Sequence, residues 1–287
     1  MKRILITGGD GYFGRRFRNR YARSFDIRST DKADLDITDT SGVRALMEDF
    51  KPEIVVHAAA LLVTDFCEKN PDVCYKVNVQ GALNVAESCR AIGARMVFLS
   101  TEQVFNGNTA PGPYSEEDVP QPNTVYGRNK LEAETRVAQI VPGLWTLRFA
   151  WTFGFPERNL PLSPNLFWEV VRAAMRAEKL KEPVHERRSL MYIYDIIEQF
   201  DKVFDLPFGL YHVGSPNELN RYEIACEILR LIGAGHRTQE LIEPDSERYR
   251  DKPRDVRLDV SKISRFGFSF SETREGLRKL VREFGLG

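Results

Sequence analysis

The chain has 287 residues, 42% of them apolar and 29% charged, a make-up that suits one elaborated globular domain or two closely joined ones. Lys plus Arg and Asp plus Glu balance at 41 each, so no global field selects nucleic acid or an anionic membrane, and any anionic ligand must be met by local charge. The apolar stretch after Met1-Lys2-Arg3 is too short for a signal peptide or a spanning helix, so a cytoplasmic location is expected, with neither membrane nor nucleic acid as partner. Cys67, Cys74, Cys89 and Cys226 lack the paired spacing of a zinc site; they are expected to be reduced, buried thiols, and no metal is expected.

Arg3 to Thr7 reads as a buried strand, and it runs directly into Gly8-Gly9-Asp10-Gly11-Tyr12-Phe13-Gly14 and a helical pattern from Gly11 to Tyr21. Glycines at 8, 11 and 14 let the backbone turn, let a pyrophosphate approach the helix N-terminus and let helix pack on strand. A glycine triplet alone is weak; the strand before it and the helix after it supply the context that a dinucleotide loop requires. The second strand, Phe25 to Thr30, ends at Asp31, 17 residues after Gly14, where a carboxylate would accept hydrogen bonds from the adenosine ribose. That leans toward NAD over NADP, although Arg28 or Lys32 would serve a phosphate, and a plain loop residue is the alternative. Asp36-Ile37 would suit an adenine edge and face. After a helix over Ser41 to Phe50, the strand Ile54 to His57 ends in Ala58-Ala59-Ala60, small residues that leave room for cofactor.

A packed helix is expected over Asn78 to Ile92, then a strand over Met96 to Ser100 that delivers Thr101. Tyr126 and Lys130 follow, one turn apart on a helix over Tyr126 to Ile140, so that an ammonium stands beside a phenol and lowers its pKa. A phenol, an ammonium and a hydroxyl meeting at one carbonyl would make Tyr126 a general acid for a ketone. Trp145 to Phe149 is a further strand. Pro156, Pro161 and Pro164 then interrupt the winding before a helix over Asn165 to Glu178; a helix over Asp195 to Phe204 and a strand over Leu210 to Val213 return to it. The alternation predicts an α/β fold, a Rossmann-type doubly wound parallel sheet with a smaller C-terminal substrate lobe. The expected division is 1–154, with 190–215 returning to it, for the NAD(P)-binding domain, and 155–189 with 216–287 for the lobe, the ligand lying between them.

These pieces together resemble the extended short-chain dehydrogenase/reductases, and within them the dTDP-4-dehydrorhamnose reductases. The resemblance is carried by Thr7-Gly8-Gly9-x-Gly11-x-x-Gly14, Leu35-Asp36-Ile37-Thr38-Asp39, His57-Ala58-Ala59-Ala60, Val77-Asn78-Val79-x-Gly81, Leu99-Ser100-Thr101-Glu102-Gln103-Val104-Phe105, Val125-Tyr126-Gly127-x-x-Lys130 and Lys252-Pro253-Arg254-Asp255-Val256-Arg257-Leu258-Asp259. It implies a catalytic set of Thr101, Tyr126 and Lys130. The implied cofactor contacts are Gly8, Gly11, Tyr12, Phe13, Gly14, Asp31, Asp36, Ile37, Ala58, Ala59, Ala60, Ser100, Tyr126 and Lys130. On the substrate side it implies Thr101 and Glu102, Trp151 near the hexose, and Arg188, Lys252 and Arg254 (or Arg257) at the diphosphate. The implied activity is NAD(P)H-dependent reduction of the 4-keto group of a nucleotide-linked, dTDP-type deoxysugar, in a homodimer.

The chain departs from that pattern in places. Glu102-Gln103 stands where the reductases carry Asp-Tyr, and Lys252 where they carry Arg, which loses a bidentate phosphate contact. Arg188-Ser189-Leu190-Met191-Tyr192-Ile193-Tyr194-Asp195 is closer to the epimerase and dehydratase branches. A nucleotide-sugar epimerase with retained NAD, or a non-catalytic dinucleotide-binding regulatory subunit such as that of methionine adenosyltransferase, are the alternatives. Dehydration is disfavoured because the acid–base pair after the catalytic Thr is missing.

Overall fold

The structure, a computed structural model, describes residues 1–287. Its centre is a six-stranded sheet in which β1 (Arg3–Thr7), β2 (Asp26–Thr30), β3 (Ile54–His57), β4 (Arg95–Thr101) and β5 (Leu144–Phe149) are joined by the strand Gly209–Val213. Read across the sheet, the order is 209–213, β5, β4, β3, β1, β2. β1 pairs in parallel with both β2 and β3, with Thr7 level with Thr30 on one side and His57 on the other, and β3 pairs in parallel with β4. This is the expected Rossmann-type winding. The chain reverses direction across the sheet between β2 and β3, so a crevice opens at the carboxyl ends of β1 and β3, where doubly wound sheets bind ligands.

Why these residues form a buried parallel sheet is visible in β1 and β3, where Ile4, Leu5, Ile6, Ile54, Val55 and Val56 are β-branched or aliphatic and wholly buried. One face is covered by α1 (Tyr12–Tyr21) and the 3-10 turn Phe200–Asp205: Phe200 packs on Phe13 and Phe17 at 5.0 and 5.3 Å, and the Tyr21 hydroxyl donates to Asp201 at 3.1 Å. The other face carries α2 (Thr40–Phe50), two short helices α3 (Thr64–Lys69) and α4 (Pro71–Tyr75), α5 (Ala82–Ile92) and α6 (Val125–Ile140); apolar residues of α2, α5 and α6 form one cluster with Leu5, Val55, Met96 and Phe98, while Cys67 and Cys74 pack separately with Tyr126. Burying each such large side chain contributes about 1.5–3 kcal/mol.

The chain falls into two compact units, 1–107 with 119–148 and 200–211, and 108–118 with 149–199 and 212–287. In the second unit Ala150 N donates to Val213 O at 2.8 Å, so the chain leaves the first unit at the end of β5. That unit holds the helices Leu166–Arg176, Arg221–Leu231 and Thr273–Phe284 and three two-stranded parallel ladders, among them Leu180–Pro183 with Ile242–Asp245. No helix of the protein is long and apolar enough to cross a membrane.

Three local expectations need correcting. The helix expected over Asn78 to Ile92 begins with a π turn, Lys76–Gly81, because the buried Asn78 amide is committed to both backbone groups of Leu61, accepting from its N–H at 2.7 Å and donating to its carbonyl at 2.9 Å. The helix expected over Asp195 to Phe204 stops at Ile197: Gln199 Nε2 takes the Asp195 carbonyl at 2.5 Å and also donates to Ser269 O at 2.7 Å. Finally, Cys67 and Cys74 are joined in a disulfide rather than free, since Asn70-Pro71 breaks the chain between α3 and α4 and folds their Cα atoms to 5.3 Å. Cys89 is buried and free, and Cys226 is free and half-buried.

Candidate active site

The glycine loop sits where β1 ends. Gly8 has φ +69°, a conformation L side chains rarely adopt, and a Cβ there would lie 2.8 Å from the Ala59 backbone. At Gly14 a Cβ would stand 2.5 Å from Gly8 O and 2.7 Å from Gly9 Cα, so the start of α1 is pressed onto the turn. No side chain caps α1; its N-cap is Gly11, and the first-turn N–H groups carry the positive end of the helix. This cradle fits a pyrophosphate. The Ser100 hydroxyl at the end of β4, buried and without a partner, is a further unused polar group in the same unit.

Asp31 follows the last residue of β2 and is half-buried; its carboxylate accepts from Lys32 N at 2.6 Å. Arg28 is turned away to Asp49, at 2.7 Å, which removes one of the two cations that would serve a phosphate beside Asp31. Asp36 is exposed but accepts from both the N–H and the hydroxyl of Thr38, at 2.9 and 2.8 Å, which holds its carboxyl below the usual range. Ile37 is buried against Gly81, where a Cβ would stand 2.7 Å from Ile37 Cδ1, and belongs to the core cluster.

Thr101, Tyr126 and Lys130 do come together. Thr101 caps the turn Glu102–Phe105 by accepting from Gln103 N at 3.2 Å, its hydroxyl donates to the Glu102 carboxylate at 3.2 Å, and its side chain neighbours the Tyr126 phenol. α6 is brought to that turn by Gly127, where a Cβ would lie 2.7 Å from Gln103 O; Thr124 caps it by accepting from Gly127 N at 3.1 Å, and Glu68 accepts from Val125 N at 2.6 Å. Lys130 Nζ donates to Leu99 O at 2.7 Å and lies 4.0 Å from the centre of the Phe98 ring. Tyr126 also packs against the Cys67–Cys74 disulfide with Leu61 and Val125.

The electrostatics correct one expectation. Burial, reinforced by the neighbouring Glu102 carboxylate, pushes the Tyr126 phenol well above its ordinary value of 10, and only the nearby Thr101 hydroxyl pulls it back. Lys130 does not lower it here, because its ammonium is aimed at Leu99 O and burial depresses its own pKa to about 7, partly countered by Glu134. His57, buried between Thr7 and Phe98, is pushed down to about 3 by burial and then by Lys130.

In the second unit, Arg188 and Arg221 place their guanidinium carbons 4.6 and 5.2 Å from the Trp151 ring centre. Both, with Arg254, surround the wholly buried Glu186 at 3.7, 3.7 and 3.3 Å, and Arg221 also pairs with Glu182 at 2.5 Å. Arg188 and Arg254 are thus gathered in one cationic cluster beside Trp151. Lys252 is exposed, and Arg257 is spent on Asp255, Glu218 and the carbonyls of Gly112 and Asn217. Arg221, Glu186 and the Asn78 clamp were not singled out from the sequence as functional. No group of three or more His, Cys, Asp or Glu side chains is placed to hold a metal.

The RmlD substrate binding domain model matches residues 1–286. The chain belongs to this family. Among this family member's relatives is the spore coat polysaccharide biosynthesis protein SpsK of Bacillus subtilis, 29% identical over 99% of this chain and 98% of that protein. The methionine adenosyltransferase 2 subunit beta of Xenopus laevis is 27% identical over 99% of this chain and 88% of its own length. A crystal structure of dTDP-4-dehydrorhamnose reductase from Bacillus anthracis in complex with NADP superposes with a TM-score of 0.87 at 26% identity, covering 99% of both chains.

Proposed function

We propose that the protein is an NAD(P)H-dependent reductase of the 4-keto group of a nucleotide-linked deoxysugar, dTDP-linked as in the reductases it is similar to. The observation that carries this reading is the meeting of Thr101, Tyr126 and Lys130 at the end of β4, in the same unit as an uncapped glycine-loop helix. A regulatory subunit needs the cradle but not that set.

Reduced nicotinamide supplies the hydride when it is bound. The residues of the chain do the rest. Gly8, Gly11 and Gly14 with the first-turn N–H groups of Tyr12 and Phe13 would hold the pyrophosphate; Asp31 the adenosine ribose; Ala58, Ala59, Ala60 and Ser100 would border the cofactor. Asp36 and Ile37 would reach adenine only from the rim, since one is committed to Thr38 and the other to the core. Tyr126, kept neutral by burial, holds its proton until a far more basic alkoxide oxygen forms beside it, then donates it. Thr101 would donate a hydrogen bond to the same oxygen, and Glu102 would accept one from a sugar hydroxyl. Lys130 would hold the nicotinamide ribose. Trp151 would offer an aromatic edge to the hexose, while Arg188 and Arg254, helped by Lys252, would meet the diphosphate with charge-assisted hydrogen bonds. A homodimer and a cytoplasmic setting belong to the same reading.

The test is oxidation of NADH and NADPH against a panel of nucleotide-linked 4-keto sugars, with Tyr126→Phe as the control. Turnover that needs the sugar and falls by about 100-fold or more in Tyr126→Phe, with cofactor affinity kept, is the expected result. Cofactor binding with no turnover on any sugar would instead favour a dinucleotide-binding partner protein.

A further inference from the structure

The face of α6 that carries Tyr126 and Lys130 continues one turn further to Glu134, and nothing in the reaction above uses it. Glu134 is 7% exposed, a rare position for a carboxylate. Its partner is Arg148 on β5, 4% exposed, whose Nε donates to both carboxylate oxygens at 3.1 Å and whose second terminal nitrogen donates at 2.7 Å. The same guanidinium lies 5.2 Å from the centre of the Phe105 ring, at the end of the turn that Thr101 caps. Arg148 therefore braces the catalytic helix and the catalytic turn together, through one carboxylate and one ring.

Burying charged side chains is costly, and replacing a buried pair by apolar side chains is often neutral or stabilising, so stability alone does not account for such a row. Here the row runs Lys130, Glu134, Arg148, alternating in sign. We propose that Glu134 and Arg148 are positioning residues for the reductase reaction: Arg148 fixes the Glu134 carboxylate one turn along α6 from Lys130, and that carboxylate keeps the amine, which Leu99 O orients, in its charged form. The charged and titratable groups that interact with Lys130 are Glu134 on its own helix and His57 on β3; Tyr126 lies one turn back on α6, Arg148 lies behind Glu134, and Glu102 faces Tyr126. His57 is buried and neutral, so Glu134 is the anion that acts on Lys130, and its field favours the protonated amine.

The sign of the effect follows. Neutralising Glu134 makes Lys130 release its proton at lower pH. The readout is the carbon-13 shift of the Lys130 Cε against pH in the protein without substrate, with Lys130→Met to assign the signal. Glu134→Gln is expected to weaken proton binding at Lys130 by about tenfold, and Glu134→Asp to restore most of it. Because Glu134→Gln leaves Arg148 unpaired, the double variant Glu134→Gln, Arg148→Gln is titrated beside it; it removes both charges and is expected to shift Lys130 in the same direction. In turnover, the alkaline limb of the kcat profile should move toward acid in both variants. The kinetic arm rests on the reductase reading, whereas the lysine titration does not, so inactivity of the wild type would leave the titration to decide. A Lys130 midpoint unchanged in folded Glu134→Gln and in the double variant would overturn the proposal.

Discussion

Gly14 and Gly11 lie in one loop, yet the structure assigns them separable consequences, and alanine at each tests the reasoning. At Gly14 the added Cβ meets Gly8 O at 2.5 Å, Gly9 Cα at 2.7 Å and Gly9 C at 2.9 Å. All three are backbone atoms, so no rotamer change relieves the clash, and either the turn or the start of α1 must move. Overpacking of that kind costs about 1–3 kcal/mol, and this geometry belongs at the upper end. Alanine is better than glycine inside a helix by about 1 kcal/mol, which leaves a net loss of about 2 kcal/mol. For a chain of this size that lowers Tm by roughly 4–8 °C. At Gly11 the nearest atom is Gly8 O at 3.1 Å, and the N-cap backbone, φ −71° and ψ 175°, is one alanine adopts freely. Gly11→Ala should therefore cost no more than about 1 kcal/mol, the usual loss at an N-cap. Its methyl would instead stand where a pyrophosphate approaches, so cofactor affinity should fall about tenfold or more, some 1.4 kcal/mol. Melting curves with and without NADPH, and cofactor titration by fluorescence, read both effects. A Gly14→Ala protein that melts with the wild type would refute the packing argument, and a Gly11→Ala protein with unchanged affinity would refute the assignment of the loop.

Two further outcomes are expected. Asp31→Ala should weaken NADH more than NADPH, by about tenfold, since it removes an acceptor for two ribose hydroxyls and a like charge facing a 2'-phosphate; equal losses in a direct binding titration would exclude the ribose role. Stability should fall on acidification through His57: its folded pKa of about 3 lies below its unfolded 6.5, so between those values the unfolded chain binds more protons and stability is lost as pH drops. At pH 4.5 the loss from this group is about 2–3 kcal/mol, and urea unfolding of His57→Asn should show a correspondingly flatter pH dependence than the wild type.

The sequence by itself determined the first half of the molecule. Aliphatic runs at Arg3–Thr7, Ile54–His57 and Arg95–Thr101, each followed by a helical pattern, have only one stable solution, a parallel sheet covered on both faces. The glycines at 8, 11 and 14 and the four-residue step from Tyr126 to Lys130 were likewise legible, because each encodes a local backbone requirement or a fixed helical angle. What the sequence does not hold is anything that depends on distance across the fold. Lys130 reads as an ammonium beside a phenol, but tertiary packing buries it, turns it to Leu99 O and leaves the phenol pushed up rather than down. Cys67 and Cys74 look like unrelated thiols until the Asn70-Pro71 break folds α3 back on α4. Glu134 with Arg148, and Arg221 with Glu186, lie 14 and 35 residues apart and look like solvated charges on helices and strands. Only burial, which strips their water and makes a partner obligatory, gives each a specific place in the structure.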